Sequence, residues 1–156
     1  MSGKIKVLFV CIHNSARSQM AEAFLKLLGG DRFEVESAGI EPGNLNPLVV
    51  KSLQEIGIDI SGNHTKDVFE FIKKGTLFNY VITVCDETSA ERCPIVPGHS
   101  QRLHWGFPDP STLTGTDEEK LQAIRIIRDD IKTTVANWIA VVGKEQDTDT
   151  GCGCTL

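Results

Sequence analysis

The sequence predicts an α/β fold: a three-layer sandwich in which helices cover both faces of a central, four-stranded parallel sheet. Short apolar runs rich in β-forming residues alternate along the chain with segments of helical periodicity. These runs are apolar at nearly every position, which is typical of parallel strands buried on both faces. Loop residues follow the first run directly and lead into a helix, which is the order found in strand–loop–helix units.

The predicted strands cover residues 4–10, 33–37, 80–84 and 103–105. The first and third are almost wholly apolar, as central strands of a parallel sheet are. Ligand sites in such sheets lie beyond the carboxyl ends of the strands. We therefore expect the segments that follow these strands to meet at one edge of the sheet.

Periodicity and capping residues predict the first three helices. Asn46, followed by Pro47, predicts the N-cap of the second helix, and Thr65 predicts the N-cap of the third. The first helix ends at the glycine pair 29–30. Its predicted apolar stripe consists of Met20, Ala23, Phe24, Leu27 and Leu28.

The last helix begins with a capping box, in which Thr116 and Glu119 satisfy each other's backbone N–H groups. Its predicted apolar face consists of Ile124, Ile127, Ile131, Val135, Trp138 and Val142. Beyond this face the chain becomes polar and contains glycine. We therefore predict one domain over residues 1–143 and a flexible, cysteine-containing tail over residues 144–156.

Composition excludes several classes of protein. The 156 residues suit a single domain, and a net charge of −5 argues against a general nucleic-acid binder. No apolar segment approaches the roughly 20 residues needed to span a bilayer. The start of the chain has charges but no apolar core typical of a signal peptide. We expect a cytoplasmic protein that acts as a monomer, without nucleic-acid or membrane partners.

Five cysteines stand at positions 11, 85, 93, 152 and 154. In a reducing compartment, an odd number of cysteines favours catalytic, redox or metal-binding roles over structural disulfides. Close spacing typical of zinc sites occurs only at Cys152 and Cys154, without a second pair nearby, so zinc is not expected.

The segment from Cys11 to Ser18 carries the strongest chemical signal. A loop between a strand and a helix N-terminus directs backbone N–H groups inward, which suits a tetrahedral oxyanion. Arg17 could grip that anion with its planar donors, and the same surroundings would activate Cys11 as a thiolate nucleophile. We therefore predict a phosphate-binding loop after strand 1, with Cys11, Arg17 and Ser18 at the reacting centre and the intervening residues binding the anion: Ile12, His13, Asn14, Ser15 and Ala16. The simpler alternative is a buried cysteine beside a surface arginine, with Ser18 only capping the helix.

Three motifs in order carry a family resemblance. Cys11–Ser18, continued by Gln19–Glu22, resembles the phosphate loop of low-molecular-weight protein tyrosine phosphatases. Ser37–Ile40 and Trp105–Pro110 resemble more closely the thioredoxin-coupled arsenate reductases built on that fold. The resemblance covers the chain from about Lys4 to Val142.

The chain departs from the phosphatase pattern at three positions. Ala16 replaces a second cysteine inside the loop, Ser111 stands where a tyrosine is usual, and His13 replaces a glycine. Cys85 follows the third predicted strand, and Cys93 comes eight residues later. The reductases are similar in having a pair of cysteines in this region. His13 projects from the rim of the loop and could alter access of the substrate.

The resemblance implies a relay of three thiols. Cys11 would attack arsenate, and Asp109 would act as general acid for the departing oxygen. Cys85 would then attack Cys11 and release arsenite, and Cys93 would attack Cys85 to leave a disulfide for thioredoxin. Alternatively, Cys85 and Cys93 are ordinary thiols and Asp109 only shapes a turn.

Cys152 and Cys154 lie beyond the region of resemblance. They could be extra resolving thiols, a clip for a metal or arsenite, or tail residues without a role, and the last interpretation is favoured.

The resemblance also implies a potassium ion beside the loop at Asn14, Glu22, Ser37 and Asp67, and no tightly bound cofactor. For each of these residues an ordinary structural role is an equal alternative. Two other functions use the same loop: a phosphatase that hydrolyses phosphomonoesters through a Cys11 phosphoenzyme, and a sensor that binds phosphate or arsenite without turnover. The Cys85 and Cys93 pair favours the reductase over the phosphatase, and Asp109 favours an enzyme over the sensor.

Overall fold

The structure is a computed structural model that describes residues 4–84, 101–108 and 110–155, with side chains as far as Val142 apart from that of Ser111. Its four strands are β1 (Ile5–Cys11), β2 (Phe33–Gly39), β3 (Tyr80–Thr83) and β4 (Gln101–His104). They form one sheet in the order β2-β1-β3-β4, and every pair is parallel. The predicted four-stranded parallel sheet is confirmed, with β1 in an interior position.

The described helices are α1 (Arg17–Gly29), α2 (Pro47–Gln54), α3 (Val68–Lys73) and α4 (Asp117–Thr155). Short 3-10 helices cover Gly30–Arg32 and Pro110–Thr112. Asn46 caps α2 as predicted, because its side chain accepts hydrogen bonds from the first turn. The capping box is also present, with Thr116 and Glu119 bonded reciprocally at 3.0 and 3.2 Å.

Alternate side chains of β1 enter two separate apolar clusters. Val7 and Phe9 pack in the larger cluster with residues of α1, α2 and α4. Leu8 and Val10 pack in the smaller cluster with α3 on the opposite face. Helices therefore cover both faces of the sheet, as the three-layer prediction requires. Because β1 is buried on both faces, its carboxyl end is held from two sides.

The predicted apolar stripe of α1 is partly wrong. Met20 and Phe24 are fully buried, but Leu27 is 60% and Leu28 39% exposed. Near its N-terminus the helix buries polar side chains, among them Gln19 and Glu22. These side chains bond to neighbouring loops, and this orientation turns the two leucines of the last turn toward solvent.

Helix α3 begins later than predicted. Asp67, not Thr65, is its N-cap, and its side chain accepts a hydrogen bond from Phe69 N at 2.9 Å. The Thr65 hydroxyl instead donates to the Gly43 carbonyl at 2.6 Å. A threonine hydroxyl can satisfy a backbone group in another segment as readily as it caps a helix, and sequence alone does not separate the two uses.

Helix α4 carries the predicted apolar face, and all six of its members are buried. Its backbone continues to Thr155, so residues 144–155 extend the helix instead of following it. The flexibility predicted for the tail stays a prediction. Within the described ranges, no helix combines the length and the apolar character needed to cross a membrane.

Candidate active site

The loop over residues 12–16 lies where the sequence predicts it. Cys11 is the last residue of β1 and Arg17 is the first of α1. Ala16, the N-cap of α1, has no side-chain acceptor for the N–H groups of the first turn. An anion in the loop can accept from those groups, as at other helix N-termini. Ser18 lies inside the helix, so the interpretation of Ser18 as its cap is wrong.

Asn14 sets the backbone course of the loop. It has φ of 55° and is the one described non-glycine residue with positive φ. Asparagine tolerates this left-handed region better than most residues, which suits it to this position in the loop. The resulting turn brings Asn14 N to 3.0 Å from Cys11 Sγ.

The Cys11 thiol is enclosed and surrounded by donors. Its Sγ lies 2.9 Å from Ser18 Oγ, and the residue is 2% exposed. Burial raises the pKa of Cys11 above its ordinary value, while Ser18, the Arg17 charge and the Asn14 backbone N–H act in the opposite direction. The sequence predicts those stabilising groups. It does not predict the desolvation that outweighs them in this enclosed arrangement.

A chain of hydrogen bonds leaves the proton of the Ser18 hydroxyl available to the Cys11 thiolate, which can only accept. Asn14 Nδ2 has two hydrogens, and they go to Ser18 Oγ at 2.7 Å and Ser37 Oγ at 2.9 Å. The Ser37 hydroxyl in turn donates a hydrogen bond to the Glu22 carboxylate. Since Ser18 Oγ accepts from Asn14, its proton is available to Cys11. The network therefore orients a donor toward the sulfur, where it stabilises the thiolate form.

The segment after β2 supports the loop from outside. Backbone N–H groups of Ile40, Glu41 and Gly43 donate to carbonyls of residues 11, 12 and 13, and Asn46 N donates to Ser15 O at 3.0 Å. A Cβ on Gly39 would lie 2.6 Å from Ile12 O, so this close approach requires glycine.

His13 lies exposed at the rim of the loop and is anchored to the same segment. Its Nδ1 donates to Glu41 O at 2.9 Å, because a carbonyl can only accept.

Gln19 is a site residue that the sequence reasoning missed. It is fully buried, and its Nε2 donates to Asn14 O, Asn14 Oδ1 and His64 O at 3.0–3.1 Å. Its Oε1 accepts from Asn63 Nδ2 at 3.0 Å. The side chain thus joins the anion loop to the segment before α3. A buried glutamine leaves no periodic signal, and its partners are 44 and 45 residues away.

Arg17 connects the loop to the segment after β4. It is 3% exposed, and its guanidinium donates to Phe107 O at 3.2 Å. Phe107 is buried in the larger apolar cluster, and Trp105 packs against Phe9 of β1 with ring centroids 5.8 Å apart. Asp109, the predicted general acid, lies outside the described residues.

Cys85 and Cys93 also lie outside the described residues. The chain just before them is well placed for the predicted relay. Val84 N donates to Val10 O at 2.9 Å, and Thr83 pairs with Val10 in the sheet. The end of β3 therefore lies beside the end of β1, where Cys11 is found, and Cys85 is the next residue in the sequence after Val84.

The four residues predicted to hold potassium do not fit a bound cation as they are arranged. Asn14 Oδ1 accepts from Gln19 Nε2 and Lys66 N, and Asp67 Oδ1 caps α3. The Glu22 carboxylate accepts from Ser37 and is paired with the ammonium groups of Lys26 at 2.6 Å and Lys66 at 3.6 Å. Two ammonium groups therefore already balance the carboxylate charge that a potassium ion would need, and they would repel a cation placed beside it.

No cluster of three or more acidic, histidine or cysteine side chains suited to a metal ion occurs among the described residues. The imidazole of His104 on β4 contacts a neighbouring strand, with its Nδ1 2.6 Å from Thr83 Oγ1 on β3. The side chains of Cys152 and Cys154 are not described, so the alternatives for the tail stay predictions.

Comparisons with known proteins agree with this geometry. The family described as low molecular weight phosphotyrosine protein phosphatase matches residues 6–148. The arsenate reductase of Bacillus subtilis (strain 168) is 45% identical over 133 residues, which cover 84% of this chain and 91% of that protein.

Two solved structures extend the comparison. An arsenate reductase in the phosphate binding state matches with a TM-score of 0.71 and 33% identity, covering 87% of this chain and 97% of that one. A thioredoxin-dependent arsenate reductase of Corynebacterium glutamicum matches with a TM-score of 0.58 and 31% identity, covering 86% of this chain and 63% of that one. The chain therefore belongs to the low molecular weight phosphotyrosine protein phosphatase family, and arsenate reductases are among its relatives there.

Proposed function

We propose that this protein reduces arsenate to arsenite, with Cys11 as nucleophile and thioredoxin as the final reductant. One observation carries the proposal: Cys11 lies at the start of an anion loop, with the Ser18 hydroxyl and the Asn14 N–H directed at its sulfur. The similarity to named arsenate reductases supports arsenate as the oxyanion. The loop backbone over residues 12–16 and Arg17 would bind three of its oxygens.

The first step forms a bond between sulfur and arsenic. Cys11 gives its proton to an oxygen of arsenate, its thiolate attacks arsenic, and the bond between arsenic and that protonated oxygen breaks. Asp109 gives a proton to the departing oxygen, which leaves as water. Support for this role comes from Arg17, which contacts Phe107 two residues before Asp109 in the chain. The arsenic stays As(V) in this covalent intermediate.

The second step reduces arsenic. The thiolate of Cys85 attacks the sulfur of Cys11, the S–As bond breaks, and its electron pair stays on arsenic, which leaves as As(III) arsenite. A disulfide between Cys11 and Cys85 results. The pairing of β1 with β3 supports this order, since Thr83 pairs with Val10 and the end of β3 therefore lies beside the end of β1, where Cys11 is found.

The third step regenerates Cys11. Cys93 attacks Cys85, which frees the Cys11 thiol and leaves a disulfide between Cys85 and Cys93. Thioredoxin then reduces that disulfide, as the relative described as thioredoxin-dependent suggests. This cycle needs a reducing compartment, so we propose that the protein acts in the cytoplasm. No metal or tightly bound cofactor enters the cycle.

A coupled assay tests the proposal. We expect arsenate-dependent NADPH consumption in the presence of thioredoxin and thioredoxin reductase, and its loss in Cys11→Ser and Cys85→Ser. Cys154→Ser is the matched control, because Cys154 has no part in the relay, and it should retain the rate. Absence of an arsenate-dependent signal in the wild type, with rapid hydrolysis of an aryl phosphate, would establish the phosphatase alternative instead.

A further inference from the structure

Glu22 is a buried carboxylate at the far end of the hydrogen-bond network that reaches Cys11. The residue is 4% exposed, and its carboxylate accepts a hydrogen bond from the Ser37 hydroxyl. A carboxylate in such a position needs a positive partner, because an uncompensated buried charge is costly. In this chain the partners are side chains: Lys26 Nζ at 2.6 Å and Lys66 Nζ at 3.6 Å.

The two lysines reach Glu22 from different parts of the fold. Lys26 is one helical turn after Glu22 on α1, and its side chain is 57% exposed. Lys66 comes from the segment before α3, and its side chain is 32% exposed. Its ammonium also lies 3.4 Å from the carboxylate of Glu36 on β2. Lys66 therefore joins α1 and β2 through a single positive charge.

The backbone of Lys66 is held by the same site. Its N–H donates to Asn14 Oδ1 at 2.9 Å, and its carbonyl accepts from Gly39 N at 2.8 Å. Asn14 is the residue that donates to both Ser18 and Ser37. The position of the Lys66 ammonium is thus coupled to the loop through its own main chain as well as through Glu22.

We propose that the ammonium groups of Lys26 and Lys66 supply the positive charge that balances Glu22, so that the anion loop keeps its shape without a potassium ion. The two lysines act as positioning residues: they hold Glu22, Glu22 fixes the proton of Ser37, and Ser37 and Ser18 fix the amide of Asn14. A cation at this point would have to displace an ammonium and would be repelled by the other. The inference concerns the same loop as the proposed function, but it does not depend on arsenate being the substrate.

Thermal unfolding in matched salts tests the charge balance. The wild type should have the same midpoint in KCl and in NaCl of equal ionic strength. In NaCl, the unfolding midpoint of the double variant K26A/K66A should lie at least about 5 °C below that of the wild type, because Glu22 loses both of its positive partners. Potassium should then recover part of that loss, since Glu22 lines a surface pocket of about 370 Å³ that a cation can enter. Lys73→Ala is the matched control, because Lys73 makes an exposed pair with Glu70 on α3, and it should change neither the midpoint nor its response to salt.

A double-mutant cycle gives a second measurement if K26A/K66A does not fold. The midpoint loss caused by Lys66→Ala should shrink by at least half in a Glu22→Gln background, because the buried charge that Lys66 balances is gone. Lys66→Arg keeps the positive charge, so its thermal unfolding midpoint should stay close to that of the wild type. The alkylation rate of Cys11 at pH 7.5, followed by peptide mass spectrometry, should fall severalfold in Lys66→Ala and not in Lys73→Ala.

Two results would overturn the inference. One is a saturable stabilisation of the wild type by potassium that sodium does not give. The other is an equal effect of Lys66→Ala in the wild-type and Glu22→Gln backgrounds, which would mean that Lys66 does not act through Glu22. Neither readout involves arsenate turnover, so a failure here is distinguishable from a failure of the proposed reaction.

Discussion

At the scale of single residues, opposing effects act on the pKa of the Cys11 thiol. Enclosure disfavours its thiolate, while Ser18, Arg17 and the Asn14 N–H favour it. The geometry assigns Ser18 an active part, because its oxygen accepts from Asn14 and its proton can be donated to the thiolate. Such a donor to a charged acceptor contributes about 1.5–3 kcal/mol. The reactivity of Cys11 should therefore depend on pH and on Ser18 together.

Alkylation of Cys11 by iodoacetamide should accelerate with pH through the neutral and mildly alkaline range, because burial raises the pKa of its thiol. Ser18→Ala should slow the reaction by about tenfold or more at neutral pH, since removal of one donor raises the pKa further. Ser52→Ala is the matched control: Ser52 is also a buried serine, but it donates to Val49 O within α2. A rate that is already constant from pH 6 upward would contradict this account.

The same pKa shift has a consequence for stability. A thiol whose pKa is raised in the folded state ionises first in the unfolded state as the pH rises. Its contribution to stability is therefore fully present below the ordinary thiol pKa and is lost as the pH rises through the folded value. The free energy of unfolding should fall more steeply with alkaline pH in the wild type than in Cys11→Ser, as urea titrations at several pH values can measure.

At the scale of elements, the anion loop depends on segments distant in sequence. The segment after β2 bonds to its carbonyls, and Gln19 joins it to the segment before α3. Strand β1 gives the loop a fixed starting point, because β2 and β3 pair with it on both sides. The loop is therefore held by tertiary contacts on each flank, which is the preorganisation that an anion site requires.

Gln19→Ala should lower the free energy of unfolding by about 1–3 kcal/mol, because it leaves the buried Asn14 without this partner and removes the contacts with Asn63 and His64. Urea denaturation measures the change. Gln122→Ala, at an exposed position of α4, is the matched control and should change stability by less than about 0.5 kcal/mol. Equal stability of the two variants would show that the Gln19 contacts do not hold the loop.

Local signals were predictable from the sequence, and long-range contacts were not. The caps at Asn46 and Thr116 depend on neighbours within three residues and are confirmed. Leu27 and Leu28 fit the helical period but point outward, because polar contacts set the orientation of α1. Lys66 reaches Glu22 across 44 positions of the sequence (66 − 22), and no spacing rule predicts such a pair.

At the scale of the whole molecule, the fold brings the first thiol of the proposed relay to one edge of the sheet. Cys11 ends β1, Val84 lies beside β1 just after the end of β3, and Arg17 contacts the segment after β4. The sequence predicted this convergence from the alternation of strands and helices. The further order of sulfur transfer depends on Cys85 and Cys93, so it must be established chemically.

A single-turnover experiment on Cys93→Ser tests the central claim most directly. The variant should release about one arsenite per protein and then stop, with a disulfide between Cys11 and Cys85 identified by peptide mass spectrometry, because no thiol remains to free Cys11. Cys152→Ser should turn over repeatedly with thioredoxin. Repeated turnover by Cys93→Ser, or a first disulfide that lacks Cys11, would contradict the relay.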